Sequence, residues 1–304
     1  MKIVYAGSPE YAVAPLKALL QSGKEVVAVI TQPDKPVGRK GVITPTPVKQ
    51  FALERGLPVY DFLKIREHEE EVRALGADLM ITCAYGQLLS RGVLQAFPQG
   101  VYNLHASLLP LYRGASPVQS AILGGERYTG VTVMKTELEL DSGGILMVKR
   151  VEIGARTCGE LSEELSALSA QAAIEAVELL ESGQGELLVQ DEAKATYCKK
   201  IGKADAEIDF KKSGEEVANL INAMSPSPAA FAKLNGAMVN LLKAISCEGE
   251  GSCGEVLKAD KNGVVIACGK GAVNVSRLQF PGGRPLTAAD AANGRKIKAG
   301  DKFD

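Results

Sequence analysis

Gly100-Val101-Tyr102-Asn103-Leu104-His105-Ala106-Ser107-Leu108-Leu109-Pro110 is the stretch on which the reading of this chain turns. An apolar run with β-branched and aromatic side chains gives way to polar residues and a proline, as where a buried strand ends on a turn. Side chains alternate along a strand, so Asn103, His105 and Ser107 share a parity and Leu104 faces the other way. Working outward, similar apolar runs occupy residues 2–6, 25–31 and 78–84. Segments with helical spacing lie between them, such as Val13, Leu16, Leu19 and Leu20. Helices are predicted near 47–55, 65–75 and 89–97, with a short apolar segment at 57–60. That alternation predicts an α/β fold of βαβ units around a mainly parallel sheet. His105 then stands at the carboxyl end of a parallel strand, where open α/β sheets bind their ligands.

Further along the grammar changes. A long amphipathic helix is predicted over 157–181, with Leu161, Leu165, Leu168 and Ala172 on one stripe. A polar stretch, 184–206, follows and reads as a linker. After a short helix near 213–224 come five strand candidates, at 230–234, 238–246, 254–259, 264–268 and 272–280. Asn235-Gly236 and Asn262-Gly263 read as hairpin turns. Five short strands with tight turns suggest a small OB-like barrel.

The chain has 304 residues, a size that fits about two domains. It is 46% hydrophobic and 23% charged, which excludes a disordered or collagen-like chain. No apolar stretch approaches a membrane span. Its six cysteines form no C-x-x-C pair, which argues for free thiols in a reducing compartment and predicts a cytoplasmic protein. Residues 208–304 carry 13 Lys and Arg against 10 Asp and Glu, an excess too small to establish nucleic-acid binding alone. The loop over 32–50 is more concentrated: Lys35, Arg39, Lys40 and Lys49 against Asp34, among four prolines. It reads as a solvated connection or as a basic arm that meets phosphates.

Of two histidines, His68 lies in an acidic, solvated run, whereas His105 shares its strand face with an amide. An Asn side chain can donate to an oxygen that gains charge as a carbonyl is attacked, and a histidine can move a proton near neutral pH. Ser107 lacks a G-x-S-x-G elbow, so a serine hydrolase is disfavoured. Attack by a bound amine or water on a bound acyl group fits better. A carboxylate should orient the imidazole, and spacing leaves Glu137, Glu139 and Asp141 equally eligible. No G-x-G-x-x-G follows the first strand, no P-loop is present, and no Cys/His cluster points to a metal.

Asn103-Leu104-His105-Ala106-Ser107-Leu108-Leu109-Pro110, followed by Tyr112-Arg113-Gly114-Ala115-Ser116-Pro117, resembles the signature of the folate-dependent formyltransferases. The similarity runs from Ala6-Gly7-Ser8-Pro9-Glu10 through Ala84-Tyr85-Gly86-Gln87 and Ala195-Thr196-Tyr197 to Phe280-Pro281-Gly282-Gly283-Arg284. The basic loop and the C-terminal strands are closest to the branch of the family that acts on tRNA.

The resemblance implies a Rossmann-like catalytic domain over 1–188, a linker over 189–207 and an OB-like tRNA-binding domain over 208–304. It implies transfer of the formyl group of 10-formyltetrahydrofolate, a cosubstrate, to the α-amino group of methionine on initiator methionyl-tRNA, without a metal, a membrane or a second subunit. Asn103, His105 and Asp141 would be catalytic, and Asp141 is chosen here by the resemblance alone. Ser107, Leu108, Leu109, Pro110, Ala84, Tyr85, Gly86 and Gln87 would line the folate site, and Arg39 and Lys40 would meet the tRNA. The chain departs from the pattern in having no tryptophan, with Ser120 soon after the Arg-Gly element and Ser227 in the Pro-x-Pro turn where one is usual, and Gly144 where Asp is common. The competing readings are formyl transfer to an amino sugar nucleotide or glycinamide ribonucleotide, and a catalytically inactive nucleic-acid-binding protein.

Overall fold

The apolar runs near the N-terminus become interior strands because they have no polar face to leave in water. In β1 (Lys2–Gly7) every residue after Lys2 is buried, and in β4 (Leu79–Cys83) all five are. The computed structural model describes residues 1–38 and 41–304. These divide into two compact units, the first made of Met1–Gly114, Thr129–Val151 and Ser162–Tyr197.

The sheet of the first unit also contains β2 (Glu25–Ile30), β3 (Val59–Tyr60), β5 (Gly100–His105), β6 (Tyr128–Lys135) and β7 (Ile145–Glu152). Its order is β7-β6-β5-β4-β1-β2-β3. The pairs among β1 to β5 are parallel and β6 runs antiparallel to β5. From β1 the chain builds outward to β2 and β3, then crosses to the other side of β1 for β4. That reversal creates a crevice at the carboxyl ends of β1 and β4.

Helices α1 (Val13–Gln21), α2 (Pro47–Leu53), α3 (Glu69–Ala74) and α4 (Arg91–Leu94) connect the strands. The predicted helix over 65–75 is broken: a short 3-10 turn, Ile65–Glu67, precedes α3, and His68 between them has left the helical region at φ −126°. The helix near 89–97 shrinks to α4. Strand β7, absent from the sequence reading, lies at the sheet edge and alternates half-buried Met147, Lys149 and Val151 with exposed Val148, Arg150 and Glu152. The small hairpin of Lys35–Val37 and Val42–Thr44 flanks Arg39 and Lys40, which lie outside the described residues.

The long helix is α6 (Cys158–Glu181). Its buried stripe holds the expected Leu161, Leu165 and Ala172 and also Ala176, with Ser169 buried and the expected Leu168 only half-buried. A serine is tolerated there because its hydroxyl and that of Tyr11 hydrogen-bond at 2.8 Å, which satisfies two polar groups that burial would otherwise leave orphaned.

The second unit comprises Ala115–Tyr128, Glu152–Leu161 and Cys198–Asp304. It holds α5 (Pro117–Leu123), α7 (Gly214–Ala223) and α8 (Ala288–Asn293) around an antiparallel sheet. The strands are β8 (Ala230–Leu234), β9 (Ala237–Cys247), β10 (Val256–Asp260), β11 (Gly263–Ala267), β12 (Ala272–Gln279) and β13 (Leu286–Thr287). They run in the order β8-β9-β12-β11-β10, with β13 on β12. The five predicted strands are all present.

Asn235 and Gly236 take φ of +50° and +77°, the two left-handed positions that a tight hairpin of this twist requires. The next hairpin turns one residue earlier than its Asn-Gly pair suggests: Asp260 faces Gly263, so Lys261 and Asn262 form the turn. Gly263 is instead needed in the strand, where a Cβ would overlap the Asn274 side chain. The two outer strands are brought under one segment, since Phe303 bridges to Leu234 and Lys302 to Glu255. Inside, Val239, Leu241, Val264, Ile266, Val273 and Phe303 pack with Val217 and Ile221 of α7. Buried Asn222 binds the backbone of Ala244 through both ends of its amide, beside an irregularity in the β9–β12 register.

Among the described residues no helix is long and apolar enough to cross a membrane.

Candidate active site

Strand β5 is hydrogen-bonded on both flanks. Asn103 faces Thr82 on β4 and Met134 on β6, and His105 faces Thr132. The Thr82 hydroxyl donates to Asn103 Oδ1 at 2.9 Å. With its carbonyl end engaged, the amide keeps its NH2 as the end free to donate.

His105 is 5% exposed. Its Nε2 lies 2.9 Å from the Tyr112 carbonyl, which can only accept, so Nε2 carries a hydrogen. Nδ1 stands 3.7 Å from Asp141 Oδ2, inside the range of charge attraction and beyond that of a direct hydrogen bond. Glu137 and Glu139, the other carboxylates that spacing left eligible, are exposed.

Asp141 has φ +49°, a left-handed conformation that a non-glycine residue holds only under constraint. Several contacts supply it. The Gly114 N–H donates to Asp141 Oδ2 at 2.8 Å, and Gln190 Nε2 donates to the carbonyls of Asp141 and Gly143, each at 2.8 Å. Gly143 sits so close to the Lys135 carbonyl that a Cβ would overlap it. At Gly144, Leu187 occupies the neighbouring space, 3.0 Å from where a Cβ would stand.

The other sequence-predicted positions lie on the turn that follows β5 and on the loop that follows β4. Ser107 is buried and its hydroxyl donates to the Leu111 carbonyl at 2.6 Å, so it braces the turn. Leu109 packs with Met134 and Ile145, while Leu108 and Pro110 are half-buried. Ala84 takes φ +46° and Gly86 φ +80°. The Tyr85 side chain is buried in the core and desolvation pushes its hydroxyl well up. Its carbonyl accepts from Gln32 Nε2 at 3.1 Å and from the Ser8 hydroxyl at 3.4 Å, which ties together the loops after β1, β2 and β4. The Gln87 amide spans Phe62 and Ile65, accepting from the Ile65 N–H and donating to the Phe62 carbonyl, both at 2.8 Å.

Two residues of this site escaped sequence reasoning. Arg113 is 1% exposed and donates to Gln190 and to Glu192, whose carboxylate it holds below the usual range. Gln190 lies in the polar stretch that the sequence presents as a linker. A single glutamine in such a stretch carries no signal, and a buried arginine breaks the usual rule that Arg stays near water. Among the described residues no three His, Cys, Asp or Glu side chains gather as metal ligands would.

Residues 1–177 match the formyl transferase family model and residues 200–296 match the formyl transferase C-terminal domain. A methionyl-tRNA formyltransferase of Ectopseudomonas mendocina is 44% identical over 301 residues, covering 97% of this chain and 95% of the relative. The chain belongs to the methionyl-tRNA formyltransferase family. Another member, from Pseudomonas entomophila, is 43% identical and the match covers 99% of both chains. Solved structures agree at the level of the fold. The methionyl-tRNA formyltransferase of Clostridium thermocellum aligns with a TM-score of 0.58 at 15% identity, over 82% of this chain and 95% of that one. An N-formyltransferase from Helicobacter canadensis, in complex with folinic acid and dTDP-3-aminofucose, aligns at 0.71 and 19% identity, over 92% of this chain and 99% of that one.

Proposed function

We propose that this formyltransferase moves the formyl group of 10-formyltetrahydrofolate onto the α-amino group of methionine on initiator methionyl-tRNA, releasing tetrahydrofolate and formyl-methionyl-tRNA. The observation that carries the reading is one strand end presenting an amide donor and an imidazole side by side, with a carboxylate behind the ring. The methionine amine attacks the formyl carbon. The carbonyl oxygen becomes an oxyanion, and the Asn103 NH2, held outward by Thr82, donates to it. The amine sheds a proton as the new C–N bond forms. His105 takes it at Nδ1, the nitrogen not engaged by a backbone carbonyl, and the Asp141 carboxylate stabilises the imidazolium. The carbonyl re-forms as the bond to folate N10 breaks, and N10 leaves with the proton that His105 had taken. Amine attack calls for no nucleophile on the protein, consistent with a Ser107 committed to its own turn.

The folate site is assigned to residues 107–110, namely Ser107, Leu108, Leu109 and Pro110, together with Ala84, Tyr85, Gly86 and Gln87. Since the Tyr85 and Gln87 side chains already serve the fold, the contribution of the 84–87 turn is its backbone. Arg39 and Lys40 would meet the acceptor arm, and residues 208–304 the tRNA backbone, with 1–188 as the catalytic part and 189–207 between them. The enzyme would work as a cytoplasmic monomer without a metal.

A transfer assay with 10-formyltetrahydrofolate tests this, offering charged initiator tRNA, an amino sugar nucleotide and glycinamide ribonucleotide side by side. Formylation of the aminoacyl-tRNA is the expected result. Formylation of a small amine alone, or tRNA binding with no transfer to any amine, would overturn it.

A further inference from the structure

We propose that Gln190 is a positioning residue for formyl transfer, holding Asp141 in place against His105. The inference rests on the reading of Asp141 as the carboxylate that serves the imidazole. Asp141 occupies a strained backbone conformation, and such a residue keeps its geometry only if its surroundings over-determine it. Gln190 is the side chain that does so from outside the turn. Its NH2 spans the carbonyls of Asp141 and Gly143, while its Oε1 accepts from Arg113 Nη2 at 2.9 Å and Nε at 3.2 Å. A guanidinium only donates and a carbonyl only accepts, so this amide has one permitted orientation and no competing one. It is 6% exposed, and Arg113 is itself anchored to Glu192.

The backbone around Gln190 is registered with equal care. Leu188 exchanges two hydrogen bonds with Ile145, each 2.8 Å, just beyond the Asp141 turn. Thr196 accepts at its hydroxyl from the Tyr112 N–H at 2.8 Å and at its carbonyl from the Arg113 N–H at 2.9 Å. Tyr112, at φ +61°, is the residue whose carbonyl receives His105 Nε2. One strap, residues 188–196, therefore fixes the partner on each side of the imidazole: Asp141 through Gln190, and the Tyr112 carbonyl through Thr196. Gln190 is the member whose effect on a catalytic group can be removed without touching that group.

Gln190→Glu is the informative change. It keeps an acceptor for Arg113 and removes both N–H donors to the Asp141 turn. The expected result is a fall in kcat of roughly tenfold, the loss typical of one net hydrogen bond to a charged system. KM for the folate and for the charged tRNA should stay within about twofold, since neither substrate touches Gln190 in this reading. The same change made in an Asp141→Asn background should add little further loss, because both act through one carboxylate. Wild-type kcat in Gln190→Glu, or an undiminished extra loss in the Asp141→Asn background, would overturn the proposal. Full activity of Asp141→Asn alone would instead sink the reading of Asp141 itself. Should Gln190→Glu melt at room temperature, Gln190→Met replaces it, preserving volume while removing the same donors, with the same outcomes counted.

Discussion

Two halves of the candidate active site are held in place by different means. Asn103 and His105 sit on a strand flanked on both sides, so backbone pairing with β4 and β6 sets their spacing and facing. Asp141 sits on a turn that no ladder supports, in a conformation its own residue type disfavours, and side chains from distant parts of the sequence suspend it. The first arrangement is rigid because of where it is. The second is rigid only because of what reaches it. A site built this way should lose chemistry when the strand residues change, and lose geometry first when the turn changes.

The comparison breaks most visibly at His105. His105→Ala should cut kcat by about a thousandfold, the middle of the range for a positioned acid–base group, while tRNA binding in a filter assay stays close to wild type. Near-normal turnover would remove the imidazole from the mechanism. Asn103→Ala should cost about a hundredfold in kcat, as for loss of one oxyanion donor, with an unchanged melting temperature because the strand ladder remains. Gly143→Ala tests the turn. A methyl group there meets the Lys135 carbonyl, and relieving that overlap should cost ~1–3 kcal/mol in urea unfolding, together with a drop in kcat. An alanine variant as stable as wild type would mean that the turn is softer than described. Glu192→Gln gives the smallest effect and has a sign. Arg113 lowers the Glu192 carboxyl, so its support is present at neutral pH and fades as pH falls below the ordinary glutamate value. The variant should therefore be slightly less stable than wild type near neutrality, and the two should converge in acid.

The same contrast explains what could be read from the sequence. The central strands and the β-domain strands were legible because burial writes itself into composition and period: every residue of Leu79–Cys83 is apolar or small, and the Asn235-Gly236 turn announces its own backbone angles. Asn103 and His105 were legible because a two-residue period puts them on one face. Asp141 was not separable from Glu137 and Glu139 by spacing, since a turn has no period, and only the folded chain brings one of the three to His105. Gln190 and Arg113 lie 77 residues apart and meet through hydrogen bonds, which leave no local trace. Strand β7 was missed for a milder reason. As an edge strand it carries Lys149 and Arg150, so its run of apolar residues is interrupted.

The last few residues of the second unit deserve a practical thought. Phe303 and Lys302 lie across the outer strands of the antiparallel sheet, and the backbone N–H of Asp304 donates to the Lys233 carbonyl. Clipping those residues, or tethering a bulky fusion directly behind them, would uncover backbone groups at one end of each outer strand and invite the protein to pair with its own copies. A fusion behind Asp304 therefore needs a generous spacer.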